Sequence, residues 1–153
     1  MNPNERGELA RQNFLKGYNC AQSVVRAFDD VLVGQGIDPE TAARMASPFG
    51  GGMGRLRETC GTVSGMLLVL GLVAGYSEPK AFEAKKDLYG QVQKLAAAFR
   101  EENGSSICRE LLGLAAGPSD PTPERRTDAY YRKRPCPELC ACAARILASH
   151  LQG

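Results

Sequence analysis

Thr59-Cys60-Gly61-Thr62-Val63-Ser64-Gly65-Met66-Leu67-Leu68-Val69-Leu70-Gly71-Leu72-Val73-Ala74 is the stretch on which the fold turns. Apolar residues occupy nearly every side of a helix drawn through it, and a helix that is hydrophobic all round belongs in a protein interior. The wider Thr59–Tyr76 segment is diluted by Thr, Ser and four glycines. It falls short of the roughly 20 apolar residues that a membrane span needs. A buried central helix is therefore expected, with Thr59 as its N-cap. Gly61 and Gly65, four residues apart, predict a strip against which a neighbouring helix packs closely.

Upstream, Glu5–Lys16 carries Leu9, Phe14 and Leu15 on a polar background and ends near Gly17. Asn19 then reads as the cap of a helix with Ala21, Val24, Val25, Phe28 and Leu32 at spacings of three and four, stopped by Gly34-Gln35-Gly36. Asp38 caps a third helix with Pro39 in its first turn, where the missing N–H costs nothing. Gly50-Gly51-Gly52-Met53-Gly54 reads as a loop. Downstream, Phe82, Tyr89, Val92, Leu95, Ala96 and Phe99 stripe a helix within residues 77–102. Ser105 caps a short helix through Leu112, residues 114–134 lack long regular structure, and Pro137 starts a last helix ending near Leu151. No strand-like alternation appears. Residues 1–153 are expected to form one all-α domain, a bundle of six to seven helices around the buried central one.

The formal net charge is +2, with 43% hydrophobic and 24% charged residues. Neither value calls for nucleic acid as a partner. Met1-Asn-Pro-Asn-Glu-Arg-Gly shows no basic start followed by an apolar core, so the cytoplasm is the expected compartment and no membrane is expected as a partner. In that reducing setting six cysteines point to catalysis, redox chemistry or metal binding ahead of structural disulfides.

Four of the six open helices on this map: Cys20 after Asn19, Cys60 after Thr59, Cys108 in the turn after Ser105, and Cys136 before Pro137. Unpaired N–H groups and the positive end of the helix dipole favour an anionic sulfur there, which predicts lowered thiol pKa values. Arg55 and Arg57 precede Cys60 and are expected to reinforce the effect. The competing reading is that cysteine is simply a small buried residue. Cys140 follows Cys136 by four residues and shares its face, either as an auxiliary thiol or as core; Cys142 points about 200° away from Cys140, so core packing is expected for it.

Gly17-Tyr18-Asn19-Cys20-Ala21-Gln22, Phe49-Gly50-Gly51-Gly52-Met53-Gly54-Arg55, Glu58-Thr59-Cys60-Gly61-Thr62-Val63-Ser64-Gly65, Cys108-Arg109-Glu110-Leu111-Leu112-Gly113 and Cys136-Pro137 occur in this order along the chain. This set resembles the C_GCAxxG_C_C family over nearly the whole sequence. The resemblance implies a redox-active protein of bacteria or archaea, with Cys20, Cys60, Cys108 and Cys136 as the four named cysteines. Some family members carry selenocysteine, which favours nucleophilic chemistry. Around Cys60 the sequence departs from the named pattern: Thr59 stands for the leading glycine, Gly61 for the alanine, and Gly65 lies one place beyond the later glycine.

Other chemistries lack their residues. The glycine run has no Lys-Ser/Thr of a phosphate loop, His150 is the only histidine, and no CxxC pair exists. Arg125-Arg126 and Tyr130-Tyr131-Arg132-Lys133-Arg134 lead into Cys136, either as a solvated loop or as a basic surface that docks an acidic redox partner or raises the local potential. The sequence thus predicts one redox centre built from Cys20, Cys60, Cys108 and Cys136. It would act through thiol/disulfide exchange or as ligands, with an iron–sulfur cluster suiting the four thiolates ahead of zinc. Its partner is a redox protein or a small oxidised substrate, and homo-oligomerisation stays open. The rival readings are a structural Cys₄ metal module and a helical interaction module without catalysis.

Overall fold

A computed structural model describes all 153 residues. The chain is helical throughout, without strands. Its elements are α1 (Pro3–Leu15), α2 (Cys20–Arg26), α3 (Asp29–Gly34), α4 (Pro39–Ala46), a 3₁₀ turn (Ser47–Phe49), α5 (Gly50–Met53), α6 (Gly61–Ala74), α7 (Phe82–Asn103), α8 (Cys108–Leu111), α9 (Asp128–Lys133) and α10 (Cys136–Gln152). These are more segments than the six to seven expected, and each extra one has a local cause.

The helix expected from Asn19 to Leu32 breaks at Ala27-Phe28. The Ala27 carbonyl accepts from Arg6 Nη1 at 3.0 Å and is lost to the helical ladder, while Arg26 pairs with Asp29 across the break. Arg6 also pairs with Asp30 and lies over the Phe28 ring, 4.8 Å from its centroid. The glycine run is a single tight turn, α5, with Gly51 and Gly52 wound left-handed. Within the connection 114–134 the Thr127 side chain accepts from Tyr130 N and starts the six-residue α9.

Helix α6 is less central than its composition predicts. Thr62, Val63, Met66, Val69 and Leu70 are buried, whereas Gly71 and Val73 are exposed. Its outer apolar residues, Leu68 and Leu72, border a groove shared with Leu32, Ile37 and Met45, which explains an apolar helix that is not enclosed. The more surrounded helix is α2, packed against α1, α4, α6 and α10. The 22-residue α7 buries only Leu95 and Phe99, so its apolar stripe is covered on the C-terminal half alone.

Close helix approaches hold this arrangement. A Cβ on Gly65 would stand 2.6 Å from the Ala21 carbonyl oxygen, and one on Gly61 3.3 Å from Ala21 N, so the expected glycine strip is where α2 meets α6. Gly7 meets the Ala141 carbonyl in the same way where α1 crosses α10. Phe14, Phe28, Phe99, Met66, Leu70 and Leu147 fill the core around these contacts. Removing any one of the phenylalanine rings would cost about 3–5 kcal/mol.

Candidate functional site

All four cysteines predicted to act together line one cavity of about 280 Å³. They arrive on four elements. Cys20 is the first residue of α2, Cys60 the N-cap of α6, Cys108 the first residue of α8 and Cys136 the first of α10. Asn19 caps α2 through a reciprocal pair of bonds with Gln22, which fixes the entry to Cys20. Cys60 occupies the cap position expected for Thr59. Thr59 instead faces Ile107 in an isolated antiparallel bridge, because the chain here is extended rather than helical.

That bridge is part of a short seam. Cys60 N donates to the Ser106 carbonyl at 2.8 Å, Cys108 N to the Glu58 carbonyl at 2.6 Å, and Arg109 N to the Arg57 carbonyl at 3.2 Å. It stitches residues 57–60 to 106–109 and so fixes the segments that carry Cys60 and Cys108. Nothing in the apolar periodicity signals it, since three or four extended residues are too short to show an alternation.

The glycine turn supplies the other wall. A Cβ on Gly52 would lie 2.6 Å from Cys108 Cβ, and one on Gly61 2.3 Å from Cys20 Sγ. Both glycines are there because a sulfur side chain occupies the space. The turn continues left-handed into residues that are not glycine: Met53, Arg55 and Arg57 have φ of 70°, 70° and 64°. Three such residues together are costly and persist only where the surroundings hold them. Their result is to turn the chain sharply and bring Arg55 and Arg57 to the cavity wall.

Arg57 is 4% exposed. Its Nε donates to Ser119 Oγ at 2.9 Å and its Nη1 to Cys108 Sγ at 3.6 Å. The sequence pairs this arginine with Cys60; the structure sets it on Cys108, because the seam places Arg57 opposite Arg109 and next to the start of α8. The basic segment before Cys136 divides. Arg125, Arg132 and Lys133 are exposed, whereas Arg126 and Arg134 line the cavity. Arg126 donates to the Phe14 and Tyr18 carbonyls and stacks 4.0 Å from the Phe14 centroid, and Arg134 pairs with Glu124.

Helix starts do not lower Cys20, Cys60 or Cys136 as expected; burial dominates. Burial, and then repulsion from Cys20, pushes Cys60 up to about 12 against the hydrogen bond to Thr62 Oγ1. The same two causes push Cys136 up to about 12 in spite of Arg134 and Arg126. Burial raises Cys20 too, opposed by the Gly51 N–H. These three are thiols at neutral pH, since loss of hydration outweighs a partial helix charge.

Cys140 is fully buried, raised well above the usual thiol range by burial, with its thiol 3.8 Å from the Cys20 carbonyl. It stands behind the cavity and does not line it. Cys142 is 7% exposed, as expected of a core residue, but it also has a polar tether that the sequence does not reveal: its thiol donates to Glu102 Oε2 at 3.2 Å and accepts from Asn103 Nδ2 at 3.3 Å.

No three Cys, His, Asp or Glu side chains stand close enough together to hold a metal ion. The arrangement therefore does not fit a Cys₄ zinc site. No helix is long and apolar enough to cross a membrane.

A family model described as "Putative redox-active protein (C_GCAxxG_C_C)" matches residues 18–150. No significant match was found among curated proteins or among solved structures.

Proposed function

Since the chain belongs to the C_GCAxxG_C_C family of redox-active proteins, we propose that it is a thiol-dependent oxidoreductase in which Cys20, Cys60, Cys108 and Cys136 form one redox centre. The observation that carries this reading is their convergence: four sulfurs separated by up to 116 positions line a single cavity with a buried guanidinium against one of them. A bland core cysteine has no reason to be accompanied by an arginine.

In the reaction proposed, Cys108 attacks as the thiolate. Among the four sulfurs it is the one that accepts a hydrogen bond from a guanidinium, Arg57. Its sulfur bonds to one sulfur of an oxidised disulfide substrate, the substrate's S–S bond breaks, and the first substrate thiolate leaves. Cys20, as its thiolate, then attacks the Cys108 sulfur of the mixed disulfide and expels the second. Two electrons pass from the two cysteines to the substrate, and the two protons they lose end on the released thiols. Cys20 suits the second step because its sulfur meets the Gly51 N–H of the same turn whose Gly52 packs against Cys108. Cys60 and Cys136 remain as the thiols from which a second exchange re-reduces the pair. The oxidised partner is a small molecule that fits the cavity or a redox protein, and the cytoplasm is the compartment in which free thiols persist.

Anaerobic purification followed by an absorption spectrum, metal and sulfide analysis and thiol counting tests the proposal. The expected protein is colourless and metal-free, and loses two thiols per equivalent of an added disulfide. Cys20→Ser should stop at a mixed disulfide on Cys108, seen as a stable mass adduct, and Cys108→Ser should form none. Stoichiometric iron with visible bands, or stoichiometric zinc, would overturn thiol exchange in favour of ligation. Thiols that never titrate would leave a helical module without catalysis.

A further inference from the structure

We infer that the cavity is an anion site, and that the substrate carries a negative group such as a carboxylate or sulfonate held by Arg57. For its redox sense this rests on the thiol/disulfide reading, but the anion site itself stands on other observations.

The first is an unbalanced buried charge. Arg57 forms no ion pair with any carboxylate, although it is 4% exposed. Of the other arginines set into the fold, Arg6 pairs with Asp30 and Arg134 with Glu124, while Arg126 is met by the Phe14 and Tyr18 carbonyls. An ionised side chain taken out of water is expensive unless an opposite charge meets it. Ser119 Oγ and Cys108 Sγ occupy Nε and Nη1, and Nη2 has no protein partner.

The second is the sign of the whole wall. Arg55, Arg57, Arg126 and Arg134 line the cavity against one carboxylate, Glu124, which is already paired. The wall alone carries an excess of three positive charges, more than the +2 of the chain as a whole. A Cys108 thiolate would neutralise one guanidinium and still leave an excess. Low-dielectric walls of one sign concentrate ions of the other.

The third is size. At roughly 30 Å³ per water, a cavity of about 280 Å³ holds about nine waters' worth of ligand. That suits a small anionic molecule. Arg126 is locked by two carbonyls and an aromatic stack, which leaves Arg57, with its free Nη2, as the residue that grips the ligand.

Two measurements on the reduced full-length protein test this. The first is calorimetric titration in low-salt buffer with sulfate as the probe and dimethyl sulfone as its neutral counterpart. Sulfate should bind in the millimolar range or tighter and dimethyl sulfone should not. Arg57→Gln should weaken sulfate at least tenfold and Arg57→Lys much less, with circular dichroism checking the fold. Cys108→Ser should retain sulfate, which separates the anion site from the redox reading: failed exchange with intact sulfate binding would sink only the latter. The second measurement needs no variant. The ratio of alkylation rates at Cys108 by iodoacetate and iodoacetamide, read by peptide mass spectrometry, should exceed that of a free thiol about tenfold and collapse on adding sulfate. Absence of sulfate binding, sulfate binding indifferent to Arg57→Gln, or a free-thiol ratio would each overturn the inference.

Discussion

Cys108 and Cys142 are almost equally buried, at 6% and 7% exposure, and each is hydrogen-bonded to a charged side chain. At Cys108 the partner is a cation and the sulfur accepts; at Cys142 the partner is a carboxylate and the thiol donates. The two corners therefore meet their sulfurs with opposite charge and opposite hydrogen-bond sense. Burial raises Cys142, and the Glu102 carboxylate adds to it, because a proton shared with an anion is hard to remove. Arg145 completes that corner by pairing with Glu102, so its charges close on themselves. The cavity has no such closure, since Arg57 meets no carboxylate there, and this separates the two corners where exposure does not.

The sharpest way to break the contrast is to remove each sulfur in turn. Cys108→Ser is expected to slow disulfide exchange by about two orders of magnitude or more, as loss of a nucleophile does. Cys142→Ser should stay within about twofold, both read as thiol loss per second. Next comes a pair of glycines with the same backbone angle. Gly52 and Gly113 both have φ of +68°, but a Cβ meets Cys108 and the Arg57 backbone at the first and nothing within 4 Å at the second. Gly113→Ala should cost ~1 kcal/mol in urea denaturation and Gly52→Ala ~3 kcal/mol, the difference being crowding at the site.

The third test is alkaline. Cys60 and Cys136 keep their protons up to about 12 when folded and lose them at ordinary thiol values when unfolded. Between those limits the native state binds more protons, so stability is full below the unfolded pKa and falls as pH rises toward 12. The melting temperature should drop from pH 9 to 11, and less steeply in a Cys60→Ala/Cys136→Ala double variant. The smallest effect is at the other corner: Glu102→Gln should speed alkylation of Cys142 roughly threefold at pH 8 by removing the raising carboxylate, with Cys108 unchanged.

Helix type and position were legible in the sequence where local rules decide them. The Asn19 cap, Pro39 after Asp38, and the Gly61/Gly65 strip all stand as read. So does the position of Cys20, Cys60, Cys108 and Cys136 at helix starts. What the sequence hid is set by distant partners. The α2–α3 break depends on Arg6, about twenty residues away, and the seam between residues 57–60 and 106–109 depends on two extended pieces too short to announce themselves. The pKa values of Cys20, Cys60 and Cys136 went the opposite way to expectation because helix position can be read along a chain and burial cannot. The enclosed helix turned out to be α2, whose short sequence is less apolar than that of α6.

The connection that covers the arginines has a mechanical side. Ser119 N donates to the Arg55 carbonyl at 2.9 Å, Arg55 Nε to the Asp120 carbonyl at 2.6 Å, and Arg57 Nε to Ser119 Oγ. The strap over the cavity is thus hinged on the two side chains that give the cavity its charge. A ligand taken on the free Nη2 leaves Nε on Ser119, so one guanidinium ties the connection down and faces the cavity at the same time.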